Sequence, residues 1–190
     1  GHAGPTHLAA LDEAAATVSR RHGLRMASLS GWLMWQFRSG RFLDQVEAEL
    51  GRTLRDAERR AFVEDAYAGW WETSMMLMLR PDLVDGAWRD LPPATYSLPA
   101  RLVPNYPLRD GGAGYVGHPA LADPAFAKAT TEVLLTEVMA LVHALLDGGL
   151  GPGAKPSPYY AIPFFRTNFW PLAAAAGLGL AALAWLRPRR

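Results

Sequence analysis

Cysteine is absent from the 190 residues, which excludes disulfides, thiolate catalysis and cysteine-ligated zinc. A metal held by this chain would have to rest on histidine and carboxylate ligands, the harder end of the ligand range. An excess of charge of either sign is also lacking, with 19 basic against 18 acidic side chains, and lysine occurs only at Lys128 and Lys155. No basic stripe with interleaved aromatics appears, and nucleic acid drops out as a partner. Gly-x-Ser-x-Gly, a phosphate-binding glycine loop and His-Glu-x-x-His are all missing, so the chemistries those motifs carry are not indicated. The chain opens in Gly-His-Ala-Gly-Pro, without an initiating methionine. The expectation is that it begins inside a larger fold; a processed terminus is the alternative.

What is there is strongly punctuated by glycine and proline. Pro5 to His22 reads as a helix, with Leu8, Leu11, Ala15 and Val18 at helical spacing and Arg20, Arg21 and Gly23 at its end. Leu24 to Leu29 reads as a short strand, and a helix returning to a strand is the unit of an α/β fold. Gly1 to Gly4 is then the loop before that helix, at the edge of a site. Phe42 to Leu50 and Leu54 to Ala66 read as amphipathic helices with solvated charges. A proline-rich stretch from Leu91 to Pro107 and a glycine loop from Gly111 to Pro119 follow, the latter of the kind that covers a pocket. Asp123 caps a helix that opens at Pro124 and runs to about Leu146.

The C-terminal part changes character. Residues 148–167 read as a Gly/Pro-rich linker with interfacial aromatics. Phe169 to Leu186 carries no charge and as a helix spans ~27 Å, just enough for a thin bilayer core. Tyr159, Tyr160, Phe164, Phe165, Phe169 and Trp170 before it and Trp185 after it form the belt expected of a membrane span. Residues 168–187 are therefore expected to be a C-terminal transmembrane helix, the other reading being a buried alanine-rich core helix. Ala173, Gly177 and Ala181 form a small-residue face that fits helix packing. Arg187, Arg189 and Arg190 favour a cytoplasmic terminus, and Arg166 on the other flank leaves the orientation open.

The segment from Tyr67 to Val84 holds the strongest chemical signal. Glu72 follows a glycine and two tryptophans and precedes the apolar run Met75 to Leu79, which Pro81 stops. A carboxylate beside so much apolar surface either has a partner or costs stability. This segment, with Glu72-Thr73-Ser74, Pro81-Asp82-Leu83-Val84 and Pro92-Pro93-Ala94-Thr95, resembles the creatininase family of metal-dependent amidohydrolases. Gly1-His2-Ala3-Gly4 and Gly114-Tyr115-Val116-Gly117-His118-Pro119 are similar to two further family loops, so the resemblance covers residues 1–147.

The resemblance implies a three-layer α/β/α fold with a mostly parallel sheet, its N-terminal strands missing here. It also implies two divalent cations, zinc or manganese, whose bound hydroxide attacks an amide carbon. Glu72 then stands as a metal ligand, and Tyr67 occupies the position of a family histidine. The remaining ligands belong to segments this chain does not contain. His2 and His118 are the candidate catalytic residues, His118 as proton donor to a leaving amine, and Trp70, Trp71 and Tyr115 the candidate substrate contacts. The substrate implied is a small amide, cyclic amide or formamide, and the family's habit of assembly implies a homo-oligomer. The other reading is a membrane-anchored pseudoenzyme or assembly module that keeps the fold without a complete metal site.

Overall fold

Helices account for most of the described backbone. The computed structural model describes residues 4–97, 100 and 106–185. Its α-helices are α1 (Pro5–His22), α2 (Ser30–Arg38), α3 (Leu43–Leu50), α4 (Asp56–Glu64), α5 (Trp70–Leu79), α6 (Pro124–Leu146) and α7 (Phe169–Trp185), with short 3-10 turns between them. Glycine and proline set the ends as expected. Gly23 closes α1 with φ +65° and donates its amide to Ser19 O at 3.0 Å, a left-handed cap that a side chain would strain. At the start of α6 the Asp123 carboxylate accepts from the Ala125 amide at 2.8 Å.

The expected three-layer α/β/α sandwich is not found. Among the described residues there is no strand, and sheet-like pairing is confined to isolated bridges between Tyr67 and Val116 and between Ala94 and Gly117. The expected strand from Leu24 to Leu29 is irregular. The reason is local. Ser19 Oγ donates to Met26 O at 3.1 Å and accepts from Met26 N at 3.2 Å, and Gly153 N also donates to Met26 O. The groups a ladder would use are already satisfied by α1 and by the chain after α6.

The chain divides into two units, Gly1–Trp35 with Met139–Arg190, and Gln36–Val138. In the second, an aromatic cluster forms the core. Trp70 stacks on Phe126 with ring centroids 4.2 Å apart, and Phe62 meets Trp70, Phe126 and Phe37 edge to face. Such pairs each add about 0.5–1.5 kcal/mol beyond the area they bury. Val46, Leu54, Ala61, Val116 and Ala127 are buried as well.

In the first unit α1 is bound to the segment that follows α6. Asp12 Oδ2 accepts from Ser157 N at 2.9 Å and from Ser157 Oγ at 2.8 Å, and both residues are buried. Glu13 Oε2 accepts from the Thr167 amide at 3.3 Å and from its hydroxyl. Gly31 lies so close to Ser157 that an added Cβ would stand 2.6 Å from that residue's Cβ. Residues 148–167, expected as a linker, therefore hold fixed contacts with α1.

Among the described residues the helix long and apolar enough to cross a membrane is α6, with 23 residues, not the C-terminal helix expected to do so. Length and apolarity alone are weak evidence of a span; Phe126, Ala127, Ala129, Thr130 and Val133 of α6 are buried in protein, but only 22% of its apolar stretch is. α7 is shorter, at 17 residues, and its side chains from Trp170 to Ala181 are all exposed.

Candidate functional site

The two segments singled out from sequence, around Glu72 and around His118, meet over one carboxylate. Asp65 follows α4 directly. Its Oδ1 accepts from the Trp70 amide at 2.7 Å and its Oδ2 from the Trp71 amide at 3.0 Å, while the His118 amide also donates to it. The first amides of α5 lack helical partners, and a carboxylate at that end satisfies both the donors and the helix dipole. Burial pushes the Asp65 carboxyl above its ordinary range, against the pull of the Trp71, Trp70 and His118 amides and of the Arg38 guanidinium. Arg38 in turn donates to the carbonyls of Asp65 and Ala66.

The backbone around Asp65 is drawn tight. Tyr67 N donates to Val116 O at 3.1 Å, and Val116 N donates to Tyr67 O at 2.7 Å. Ala94 and Gly117 exchange a second pair at 2.9 and 2.8 Å. Side chains at Gly69 and Gly117 have no room, since an added Cβ would stand 1.8 and 1.9 Å from Asp65 Oδ1. Both glycines are required by this close approach.

Glu72 lies in the first turn of α5, half-buried. Its Oε2 accepts from the Ala68 amide at 2.6 Å, and Ala68 is held at φ +46°, a left-handed conformation alanine rarely takes. Tyr67 is 56% exposed. Trp70 is 1% exposed and stacked in the core, so it presents no surface to a substrate. Trp71 is half-buried, its indole N–H donating to Thr130 Oγ1 at 3.1 Å. Tyr115 is buried, its hydroxyl donating to Pro92 O at 2.6 Å; burial, with the neighbouring Tyr96, pushes its phenol upward. His2 lies outside the described residues.

His118 projects from the glycine loop and pairs through Nε2 with Glu64 Oε2 at 3.0 Å. It borders a cavity of about 310 Å³ walled by Ala61, Leu91, Pro93 and Leu121, with Glu58 at one side. Glu58 is bound to Arg52 and Arg55. Burial raises its pKa, but the Arg55 amide and the two guanidinium groups outweigh that and bring it down to about 2. Glu72, Tyr67 and Trp71 do not line this cavity.

The sequence reading missed Asp65 and Glu64. A signal for Asp65 existed, an acidic residue just ahead of Gly69 and an apolar helix, the pattern of a helix N-terminus. Glu64 carried none, because its partner lies 54 residues away.

The side chains of the described residues do not make up a two-cation centre. Among the described residues no group of three histidine, aspartate or glutamate side chains could hold a metal. Glu72 is engaged by a backbone amide. A lone carboxylate does not hold a dication, which needs several converging donors.

The family model described as Creatininase: Creatinine amidohydrolase matches residues 1–142. No curated protein and no solved structure matches the chain.

Proposed function

Because this chain belongs to the creatininase family, we propose that it serves the hydrolysis of a non-peptide C–N bond in a small amide, cyclic amide or formamide. The match over residues 1–142 carries this reading, supported by the junction of the Glu72 and His118 segments over Asp65. Glu72 stands at the motif's metal-ligand position. His118, oriented by Glu64, exchanges the proton of the leaving amine. Zinc or manganese is the family's expected cofactor, with Glu72 at a ligand position. The donors described here do not make up that centre, so no step is assigned to it.

A second reading is favoured by the Glu72–Ala68 bond and by Tyr67 at the histidine position: a binding or assembly module without a complete metal site. Turnover separates the two. The purified chain, supplied with zinc or manganese, is incubated with a panel of such amides, and the carboxylate and amine products are followed by NMR. Hydrolysis of at least one compound supports the first reading; a folded, inert protein without retained cation supports the second.

The chain is also proposed to be membrane-attached through α7. Support comes from its exposed, uncharged side chains and from the rings that precede it. Tyr159, Phe165, Phe164, Phe169 and Trp170 form a chain of contacts with centroids 5.1–5.9 Å apart. Removal of residues 169–190 should release the protein from membranes into detergent-free buffer; unchanged behaviour would contradict the attachment.

A further inference from the structure

A polar niche of about 280 Å³ opens where α1 meets the residues just before α7. Arg20 and Thr17 of α1 line it, with Tyr160, Arg166 and Asn168 opposite. Arg166 is fixed in place. Its Nε donates to Tyr160 O at 2.8 Å, and its guanidinium lies 4.5 Å from the centroid of the Tyr160 ring. A stacked, hydrogen-bonded guanidinium loses little freedom on meeting an anion. Arg20 reaches Thr17 Oγ1 at 3.3 Å through Nη2 and is exposed. The one carboxylate in the lining, Glu13, has Oε2 occupied by the amide and hydroxyl of Thr167.

Two guanidinium groups thus face one engaged carboxylate, and the planar fork of arginine suits phosphate oxygens. Position supplies the rest. Asn168 O accepts from Leu172 N at 3.2 Å at the first turn of α7, so the niche sits at the base of the exposed apolar helix. The ring chain through Phe164, Phe169 and Trp170 brackets the lining residues Arg166 and Asn168 in sequence. The amphipathic rings here, Trp170 and the niche-lining Tyr160, are of the kind that settles at the headgroup level of a bilayer, and that is where a phosphodiester is found. We propose that this niche binds the phosphate of an anionic phospholipid headgroup, a site that rests on the membrane attachment of α7.

The test uses the purified full chain and vesicles of phosphatidylcholine alone or mixed with phosphatidylglycerol. Both should bind, the mixed vesicles about tenfold more tightly. Arg20→Gln together with Arg166→Gln should keep binding to phosphatidylcholine and lose most of that preference. Arg20→Gln alone, at an exposed position, should lose about threefold with unchanged circular dichroism. Replacing Arg187, Arg189 and Arg190 by glutamine should leave the preference in place. Equal binding to both vesicles, or a preference intact in the paired variant, overturns the headgroup site while α7 attachment stands. Failure to bind either vesicle overturns the attachment and the site with it. Loss of the preference in inorganic phosphate, but not in chloride of equal ionic strength, assigns the niche to free phosphate and overturns the lipid assignment.

Discussion

Asp65 occupies the space that a side chain on Gly69 would need, with Oδ1 only 1.8 Å from the position of an added Cβ. The carboxylate cannot yield without giving up the Trp70 and Trp71 amides. Gly69→Ala should therefore destabilise the protein by about 2–4 kcal/mol, the range of a disrupted buried network. In an Asp65→Ala background the same change should cost far less, and denaturant unfolding of the four proteins reads that coupling. Additive effects would contradict the packing of Asp65 against Gly69.

Ala68 supplies the amide that Glu72 accepts, from a left-handed conformation. Ala68→Gly relieves that strain and should stabilise by about 0.5 kcal/mol after glycine's added unfolded-state entropy. Urea midpoints check this, and a lower midpoint would show that the strain is not there.

Glu58 gives a pH signature. Its folded pKa of about 2 lies below the ordinary 4.5, so between those values the unfolded chain binds more protons than the folded one. Stability from this group is complete above about pH 4.5 and is lost as pH falls through about 2. Glu58→Gln should cost about 1–2 kcal/mol near neutrality, allowing for solvent screening, and almost nothing near pH 2. Asp65 runs the other way. Its raised folded pKa means the folded state holds the proton more strongly, so its contribution falls as pH rises above the unfolded value. Unfolding curves of wild type and Glu58→Gln across acidic pH isolate the first effect.

Asp12 holds two donors of Ser157. Asp12→Ala leaves a buried amide and hydroxyl without their acceptor and should destabilise by about 2–3 kcal/mol, whereas Ser157→Ala should cost about 1 kcal/mol. Limited proteolysis should cut faster between residues 151 and 168 in Asp12→Ala. An unchanged cleavage rate would mean that this contact does not hold the segment on α1.

The helices α1, α3, α4 and α6 were legible because their signals are local, whereas α2 (Ser30–Arg38) and α5 (Trp70–Leu79) were not read as helices. Pro5 and Gly23, Gly51, and Asp123 with Pro124 mark ends at the chain positions where they act. The sheet was misread because Leu24 to Leu29 has the composition of a strand, while its fate depends on Ser19 and Gly153, which take the backbone groups of Met26. The site was legible as two motifs and not as a junction. Its join is made by backbone pairing between Tyr67 and Val116 and by a carboxylate outside both motifs. Trp70 looked like a substrate wall from its place beside Glu72, yet successive helical positions face different ways, and it turns into the core against Phe126.

The central claim, that this chain is a C–N hydrolase that depends on Glu72 at its motif position, is tested most directly by comparing turnover and melting temperature in wild type and Glu72→Gln. Glutamine keeps an oxygen that can accept the Ala68 amide, so the melting temperature should change by no more than about 2 °C. Turnover of the best amide in the panel should fall by about 100-fold or more. Turnover that survives in Glu72→Gln at the wild-type rate would contradict the account.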